Sequence, residues 1–192
     1  MPRIPLFPLE TMTDEQSTVY QKIISGPRGK IQGPLRAALH NAHLADKWQE
    51  LGALLRYGTS LPAHLSEIAI LITGRACNSP FEWYAHRLEA EKVGVKAQII
   101  DAILMGRFPE GMDTKEAVVY NYAMELTQTK SVSDLVYDQA LKLLGVKTVV
   151  ELTALIGYYT MVAMTLNCHE IPLPKDVVAA FPLPQHQSSI NG

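Results

Sequence analysis

Residues 67–86 of the chain read EIAILITGRACNSPFEWYAH, and this is its most informative stretch. Apolar side chains fill the first part, and a second helical pattern begins at Pro80. Because serine is a favoured N-cap and proline is tolerated at the first helical position, Ser79 and Pro80 predict the start of a helix. The stretch therefore predicts two consecutive helices, with Glu67 on the first and Glu82 and His86 on the second.

The same helical periodicity continues on both sides of this stretch. From Pro34 to Leu144, apolar residues keep returning at steps of three and four. No run of strict alternation bounded by a hairpin turn occurs, so the sequence gives no sign of a β-sheet. The helix-breaking segments are 59–62, Gly94, 109–111, 131–133 and Gly145. We predict an all-α fold of about seven or eight helices.

The two ends of the chain differ from its centre. Prolines at positions 2, 5 and 8 predict an extended N-terminal arm over residues 1–12. A capping box from Thr13 to Gln16 predicts the first helix, which stops before Gly26. Residues 13–180 are expected to form a single helical domain, and the polar, proline-containing residues 181–192 a flexible tail.

Composition restricts the possible partners and location. The chain has 192 residues, with 19 acidic and 17 basic side chains and a net charge of −2, which argues against nucleic acid or an anionic membrane surface as the main partner. The two cysteines, Cys77 and Cys168, are too far apart in sequence for a Cys-x-x-Cys zinc site, and no signal peptide is recognised. We expect a cytoplasmic protein that binds a small molecule.

The most apolar uncharged segment covers residues 152–168. Its 17 residues include three threonines and an asparagine, which falls short of the about 20 mostly apolar residues that span a bilayer. A helix that is apolar around most of its circumference is covered on several sides. We predict a buried helix, covered by its own subunit or by a neighbouring one.

Glu82 and His86 are the first candidates for chemistry. They are four residues apart, so on one helix their side chains share a face. Ser79 and Glu82 also match the Ser-x-x-Glu capping box, so Glu82 has the alternative role of a helix cap. A carboxylate at Glu67, inside an apolar helix, needs a partner, which His86 could provide. A Glu–His–Glu cluster would place a proton carrier beside two carboxylates that tune it.

The sequence from about Gly52 to Leu104 resembles the carboxymuconolactone decarboxylase family, which includes the alkylhydroperoxidase D-like proteins. The matching segments are Leu61-Pro62, EIAIL at 67–71, RAC at 75–77, FEWYAH at 81–86, Ala90 and Val93-Gly94. This resemblance implies an all-helical, alkylhydroperoxidase D-like fold. It also implies a homo-oligomer, a trimer or hexamer, assembled through an apolar helical surface.

The resemblance also bears on the type of chemistry. The thiol-dependent branch of the family has a Cys-x-x-Cys pair between a glutamate and a histidine, and here those two positions hold Ser79 and Glu82. Neither residue can reduce a peroxide. The lactone-decarboxylating branch uses no thiol, and by analogy His86 would carry the proton, Glu82 would be its partner and Glu67 would orient the imidazole.

Further residues enter as possible substrate contacts. Arg75 and Arg56 could hold a substrate carboxylate, and Trp83 could line the pocket or simply pack. We therefore expect a lyase-type enzyme that performs thiol-independent proton transfer on a small carboxylated or lactone substrate.

Two alternatives to this function stay open. One is an alkylhydroperoxidase D-like peroxidase or oxidoreductase that uses Cys77. The other is a non-catalytic helical oligomer in which Glu82 is only a cap. No cofactor is expected and no recognised metal-binding spacing occurs, although Glu67, Glu82 and His86 together could form a small carboxylate–imidazole metal site.

Overall fold

A computed structural model describes residues 2–6, 11–26 and 29–182 of the chain. These residues form eight α-helices and no strand, which confirms the predicted all-α fold. The helices, in chain order, are α1 (Asp14–Ser25), α2 (Pro34–Ala38), α3 (Ala42–Tyr57), α4 (Ala63–Ala76), α5 (Pro80–Lys92), α6 (Ala97–Leu104), α7 (Thr114–Thr129) and α8 (Asp134–Cys168).

Helix α4 lies at the centre of the bundle. Every residue from Leu65 to Gly74 is buried, and the helix packs against α5, α7 and α8. A helix that is apolar all round escapes water only where other elements cover it on several sides. Glu67 is the one charged residue in this buried run, so its carboxylate requires a partner from a neighbouring helix.

Several predicted helix boundaries are confirmed. The Thr13 hydroxyl accepts a hydrogen bond from the Gln16 backbone N–H, and the Gln16 side chain accepts one from Thr13 N–H. This capping box begins α1, which ends at Ser25. Gly145 interrupts α8 with φ 79° and ψ 161°, a backbone conformation that glycine adopts without steric cost.

The start of α5 differs from the prediction in one respect. Ser79 is the N-cap and Pro80 lies in the first turn, but the Ser79 side chain makes no cap hydrogen bond. Ser79 is fully buried, and its hydroxyl has no hydrogen-bond partner in the described part of the chain. The predicted Ser79–Glu82 capping box is therefore wrong, because the Glu82 carboxylate lies beside His86 instead.

The apolar segment 152–168 forms the second part of α8. By length and composition alone, α8 is long enough to cross a membrane, but half of its most apolar window is buried within the chain. Core helices of soluble proteins pass the same test, so this is weak evidence for a membrane span. One face of the segment is buried in the bundle, as predicted, whereas Met161 and Met164 on another face are exposed.

The described part of the N-terminal arm lies against the end of α8. Arg3 forms an ion pair of 2.9 Å with Glu170, and its backbone N–H donates to the His169 carbonyl. Ile4 and Leu6 pack against the core. Residues 1 and 7–10 of the predicted arm, and residues 183–192 of the predicted tail, lie outside the described residues.

Candidate active site

A short hydrogen bond joins α4 to α5 inside the bundle. His86 Nδ1 lies 2.7 Å from Glu67 Oε2, and both residues are buried. A carboxylate only accepts hydrogen bonds, so Nδ1–H of the imidazole donates to Glu67. This bond supplies the partner that a buried carboxylate at Glu67 requires.

The second carboxylate lies on the other side of the imidazole. Glu82, one turn before His86 on α5, is 4% exposed, and its Oε2 is 3.5 Å from His86 Nε2. The imidazole ring therefore lies between two carboxylates, one on each ring nitrogen. We call Glu67, His86 and Glu82 the Glu–His–Glu row.

Close packing of α4 on α5 holds this row together. A Cβ atom added at Gly74 would lie 3.2 Å from the Glu82 Cβ and 3.6 Å from the Trp83 nitrogen. A separation of 3.2 Å is shorter than about nine in ten of the contacts that Cβ atoms make in proteins. The missing side chain at Gly74 therefore lets the first turn of α5 approach α4 at the residue that faces His86.

A pocket of about 290 Å³ opens beside the Glu–His–Glu row. His86 and Glu82 line it, together with Arg56 of α3 and Tyr159 of α8. The Glu67 carboxylate does not line the pocket and contacts His86 from behind. The pocket thus brings two groups that can exchange protons, His86 and Glu82, together with the guanidinium of Arg56. The remaining lining residues are Lys30, Gln32, Gly33, Pro34, Leu35, Tyr57, Phe81, Ala85, Glu89, Tyr158 and Val162.

Arg56 contacts both the row and the pocket. Its Nη2 lies 4.0 Å from Glu67 Oε1, and its guanidinium carbon lies 5.3 Å from the centre of the Tyr57 ring. Burial acts to lower the pKa of Arg56, but Tyr159, Tyr57 and Glu67 outweigh it and raise the pKa above its usual value. The guanidinium is therefore a permanent positive charge in the pocket wall.

The structure does not bring the other two predicted substrate contacts to this pocket. Arg75 Nε donates to the Leu104 carbonyl at 3.0 Å and its Nη1 donates to Asn78 at 2.8 Å. Trp83 is fully buried and makes an edge contact with Phe181, with ring centres 6.2 Å apart. Both side chains lie outside the pocket lining.

Cys77 lies at the end of α4, beside a different cavity of about 310 Å³. Burial raises the pKa of its thiol, and the lowering effects of Lys130 and Thr160 do not outweigh this. Reactive cysteines usually have a lowered pKa, so this environment disfavours a thiolate. Cys77 and Cys168 are both free thiols.

The geometry of the row does not favour a shared metal ion. Glu67 and Glu82 approach opposite ring nitrogens of His86, so no single ion can bind both carboxylates and the imidazole at short range. In the described residues, a group elsewhere in the bundle has ligand atoms within 4.8 Å of one another, close enough to share a metal ion. Its members are His64, Asp113 and Glu116. Asp113 and Glu116 already form the capping box of α7.

Tyr159 is the main pocket residue that the sequence did not reveal. Its ring makes an edge contact with His86, with centres 4.8 Å apart and planes at 85°. It follows His86 by more than 70 positions, so local spacing could not place the two together. The available signal was the pair of tyrosines at 158 and 159 in the most apolar segment of the chain, because a buried phenol normally requires a polar neighbour.

The sequence matches no protein-family model, and no curated protein matches it significantly. Among solved structures, the chain is similar to an uncharacterized peroxidase-related protein from Ralstonia eutropha, described as an alkylhydroperoxidase AhpD core. The TM-score is 0.73 over 89% of this chain and 91% of that chain, at 11% sequence identity. At this identity the similarity concerns the fold, and function must be argued from the site. The chain has the alkylhydroperoxidase D-like helical fold that the sequence resemblance implies.

Proposed function

We propose that this protein is an enzyme of the carboxymuconolactone decarboxylase type, which performs thiol-independent acid/base chemistry on a small carboxylated or lactone substrate. One observation carries the proposal. The Glu–His–Glu row is buried, and its His86 and Glu82 members face a pocket that also holds Arg56. This arrangement supplies proton transfer and anion binding at one place.

Each member of the row has a separate role in this proposal. Glu67 is the positioning residue, because it accepts the Nδ1–H of His86 and so directs Nε2 towards Glu82. His86 carries the proton, and Glu82 is the second acid/base group. A carboxylate behind an imidazole fixes both its tautomer and its orientation.

Arg56 holds the substrate carboxylate, because a guanidinium binds a carboxylate through two parallel hydrogen bonds. In a decarboxylation, the bond to the carboxylate carbon breaks, carbon dioxide leaves, and the electron pair passes into a conjugated lactone carbonyl. The protonated form of His86 or Glu82 then delivers a proton to carbon. No external oxidant, reductant or thiol is consumed.

A peroxidase that uses Cys77 is the runner-up, and the description of the Ralstonia eutropha protein as peroxidase-related favours it. Two features of this chain count against it. The pKa of the Cys77 thiol is raised by burial, and the cavity beside Cys77 is not the one that His86 lines. A non-catalytic helical oligomer is the third possibility.

The proposed enzyme is a cytoplasmic homo-oligomer, a trimer or hexamer. Exposed apolar side chains along α8, which include Val146, Val150, Met161 and Met164, support self-association. Contiguous apolar patches on a protein surface often mark sites of association.

The test is turnover of a panel of small carboxylated γ-lactones by the full chain in D₂O, followed by proton NMR. We expect loss of the carboxylate and deuterium incorporation at the carbon that is protonated. His86→Gln should lower the rate by at least about 100-fold, as expected for removal of a general acid/base group. His43→Gln is the matched control, because His43 is exposed on α3 and lies outside the pocket.

Thiol dependence separates the alternatives in the same experiment. We expect Cys77→Ser to leave lactone turnover unchanged, with or without a thiol reductant. Peroxide consumption that disappears in Cys77→Ser would instead establish the peroxidase. If no lactone and no peroxide is consumed, the non-catalytic oligomer is the correct interpretation.

A further inference from the structure

We propose that Tyr159 is a further catalytic residue, whose hydroxyl donates a hydrogen bond to the substrate oxygen on which negative charge develops. The inference rests on the proposed function, and it narrows the substrate class. The substrate is a carbonyl compound whose reaction at the Glu–His–Glu row passes through an enolate, with the carbonyl oxygen bound by Tyr159.

The position of Tyr159 is the first support. Its side chain lines the same pocket as His86, Glu82 and Arg56. The edge contact between the Tyr159 and His86 rings, 4.8 Å between centres, fixes the phenol directly beside the proton carrier. Tyr159 also interacts electrostatically with Arg56, so an occupant that reaches Arg56 also lies near the phenol.

The bonding of the hydroxyl is the second support. The hydroxyl of another buried tyrosine, Tyr122, shares a hydrogen bond of 2.8 Å with the Thr153 hydroxyl. The Tyr159 hydroxyl makes no hydrogen bond with any residue that the structure describes. A buried phenol normally finds a partner. Because this one lines a pocket, a bound molecule can supply that partner.

The environment keeps this phenol in its proton-donating form. Burial raises the pKa of Tyr159 well above its ordinary value, and the opposing effect of Arg56 is smaller. The carboxylates Glu82 and Glu67 raise the pKa further. The side chain therefore donates a hydrogen bond throughout the neutral range and does not compete with His86 as a base.

An enolate oxygen is the group that such a donor stabilises best. When the row removes a proton next to a carbonyl, or when carbon dioxide leaves, the electron pair moves onto the carbonyl oxygen. A donor already fixed in the pocket stabilises this charge more than it stabilises the neutral carbonyl. Tyr159 therefore acts on the transition state, whereas Arg56 holds the carboxylate in both states.

Kinetics of the Tyr159→Phe variant form the first test. This variant keeps the ring and removes only the hydroxyl, so we expect kcat for lactone turnover to fall by about 100-fold, the usual effect of removing one such donor, with little change in KM. Thermal stability should not fall, because the hydroxyl has no partner in the described chain. Tyr137→Phe is the matched control, because Tyr137 is an exposed tyrosine on the same helix.

Binding of 4-nitrophenolate is the second test and needs no turnover. Nitrobenzene has the same ring without the charged oxygen and is the control ligand. We expect Tyr159→Phe to weaken nitrophenolate binding by at least about tenfold, the effect of losing one hydrogen bond to a charged group, and to leave nitrobenzene binding unchanged. Equal weakening of both ligands, or no weakening of either, would overturn the inference.

The two tests distinguish failure of this inference from failure of the proposed function. If lactone turnover requires His86 but not the Tyr159 hydroxyl, the inference is wrong and the proposed function stands. If nitrophenolate binding requires the hydroxyl but no lactone is turned over, the proposed function is wrong. In that case Tyr159 still binds a charged oxygen in the pocket, but the substrate is not one of the lactones tested.

Discussion

The hydrogen bond between Glu67 and His86 predicts a measurable energetic coupling between α4 and α5. The two atoms are 2.7 Å apart, and both side chains are less than one-tenth exposed, at 9% and 7%. A hydrogen bond to a charged group contributes about 1.5–3 kcal/mol to folding, compared with about 0.5–1.5 kcal/mol between neutral groups. Glu67→Gln keeps an acceptor oxygen but removes the charge, so the free energy of unfolding should fall by about 1–2 kcal/mol.

The variant His86→Phe removes the donor and keeps a ring against Tyr159. It leaves the Glu67 carboxylate buried without a hydrogen bond, which costs about 3–5 kcal/mol in comparable cases. Arg56 lies 4.0 Å from the other carboxylate oxygen, so we expect the lower end of that range. The double variant has no buried charge at position 67. The double variant should therefore lose less free energy of unfolding than the two single variants together, by about 2 kcal/mol.

Urea unfolding of the wild type, both single variants and the double variant, at one protein concentration, measures this coupling. The exposed pair Lys47 and Glu50, 2.9 Å apart, is the control, and its coupling should lie below about 0.5 kcal/mol. A Glu67–His86 coupling as small as that of the surface pair would refute the hydrogen bond as a structural link between the helices. It would also remove the basis for assigning Glu67 a positioning role.

Three further predictions concern other parts of the chain. Cys168 is exposed, whereas burial raises the pKa of the Cys77 thiol. Iodoacetamide should therefore modify Cys168 first at pH 7, and Cys77 should react faster as the pH rises. Mass spectrometry of the modified chain measures both rates. Gly74→Ala places a methyl group 3.2 Å from the Glu82 Cβ; we expect a loss of about 1–3 kcal/mol in urea unfolding and a lower turnover rate, and a fully active variant would contradict the close packing. Hydrogen bonds from Ser60, and to a lesser degree Lys147, lower the pKa of Glu151 from its ordinary value of 4.5. The ionised Glu151 therefore stabilises the fold above that value, and this stabilisation is lost as the pH falls through the lowered pKa. Glu151→Gln should reduce the pH dependence of the free energy of unfolding in acid.

The local features of the fold could be predicted from the sequence because local chemistry determines them. The capping box at Thr13 and the glycine at 145 are each decided by a few neighbouring residues. The spacing of Glu82 and His86 placed both on one face of α5 in the same way. The Ser79 capping box failed because the Glu82 carboxylate had a second available neighbour, His86, which lies on the next turn of the same helix.

The lining of the pocket could be predicted only in part, because it depends on contacts between distant segments. Arg75 is close to the row in sequence, but the Leu104 carbonyl and Asn78 hold its guanidinium elsewhere. Arg56 of α3, which was a candidate substrate contact, and Tyr159 of α8, which was not, both line the pocket. Sequence spacing determines which residues share a helix face, and only the packing of α3, α5 and α8 determines which faces meet.

The position of Glu82 suggests how one fold can support two kinds of chemistry. In the thiol-dependent pattern that the sequence resembles, a cysteine stands four residues before the histidine, where it would be a nucleophile beside the imidazole. Here a carboxylate lies at that position, 3.5 Å from Nε2, and a carboxylate beside an imidazole exchanges protons without forming a sulfur intermediate. Glu67 contacts the opposite ring nitrogen from another helix, so its contact with His86 does not depend on which residue occupies position 82. Under the proposed function, the side chains at positions 79 and 82 therefore separate acid/base chemistry from thiol chemistry, while α4, α5 and the contact between Glu67 and His86 stay in place.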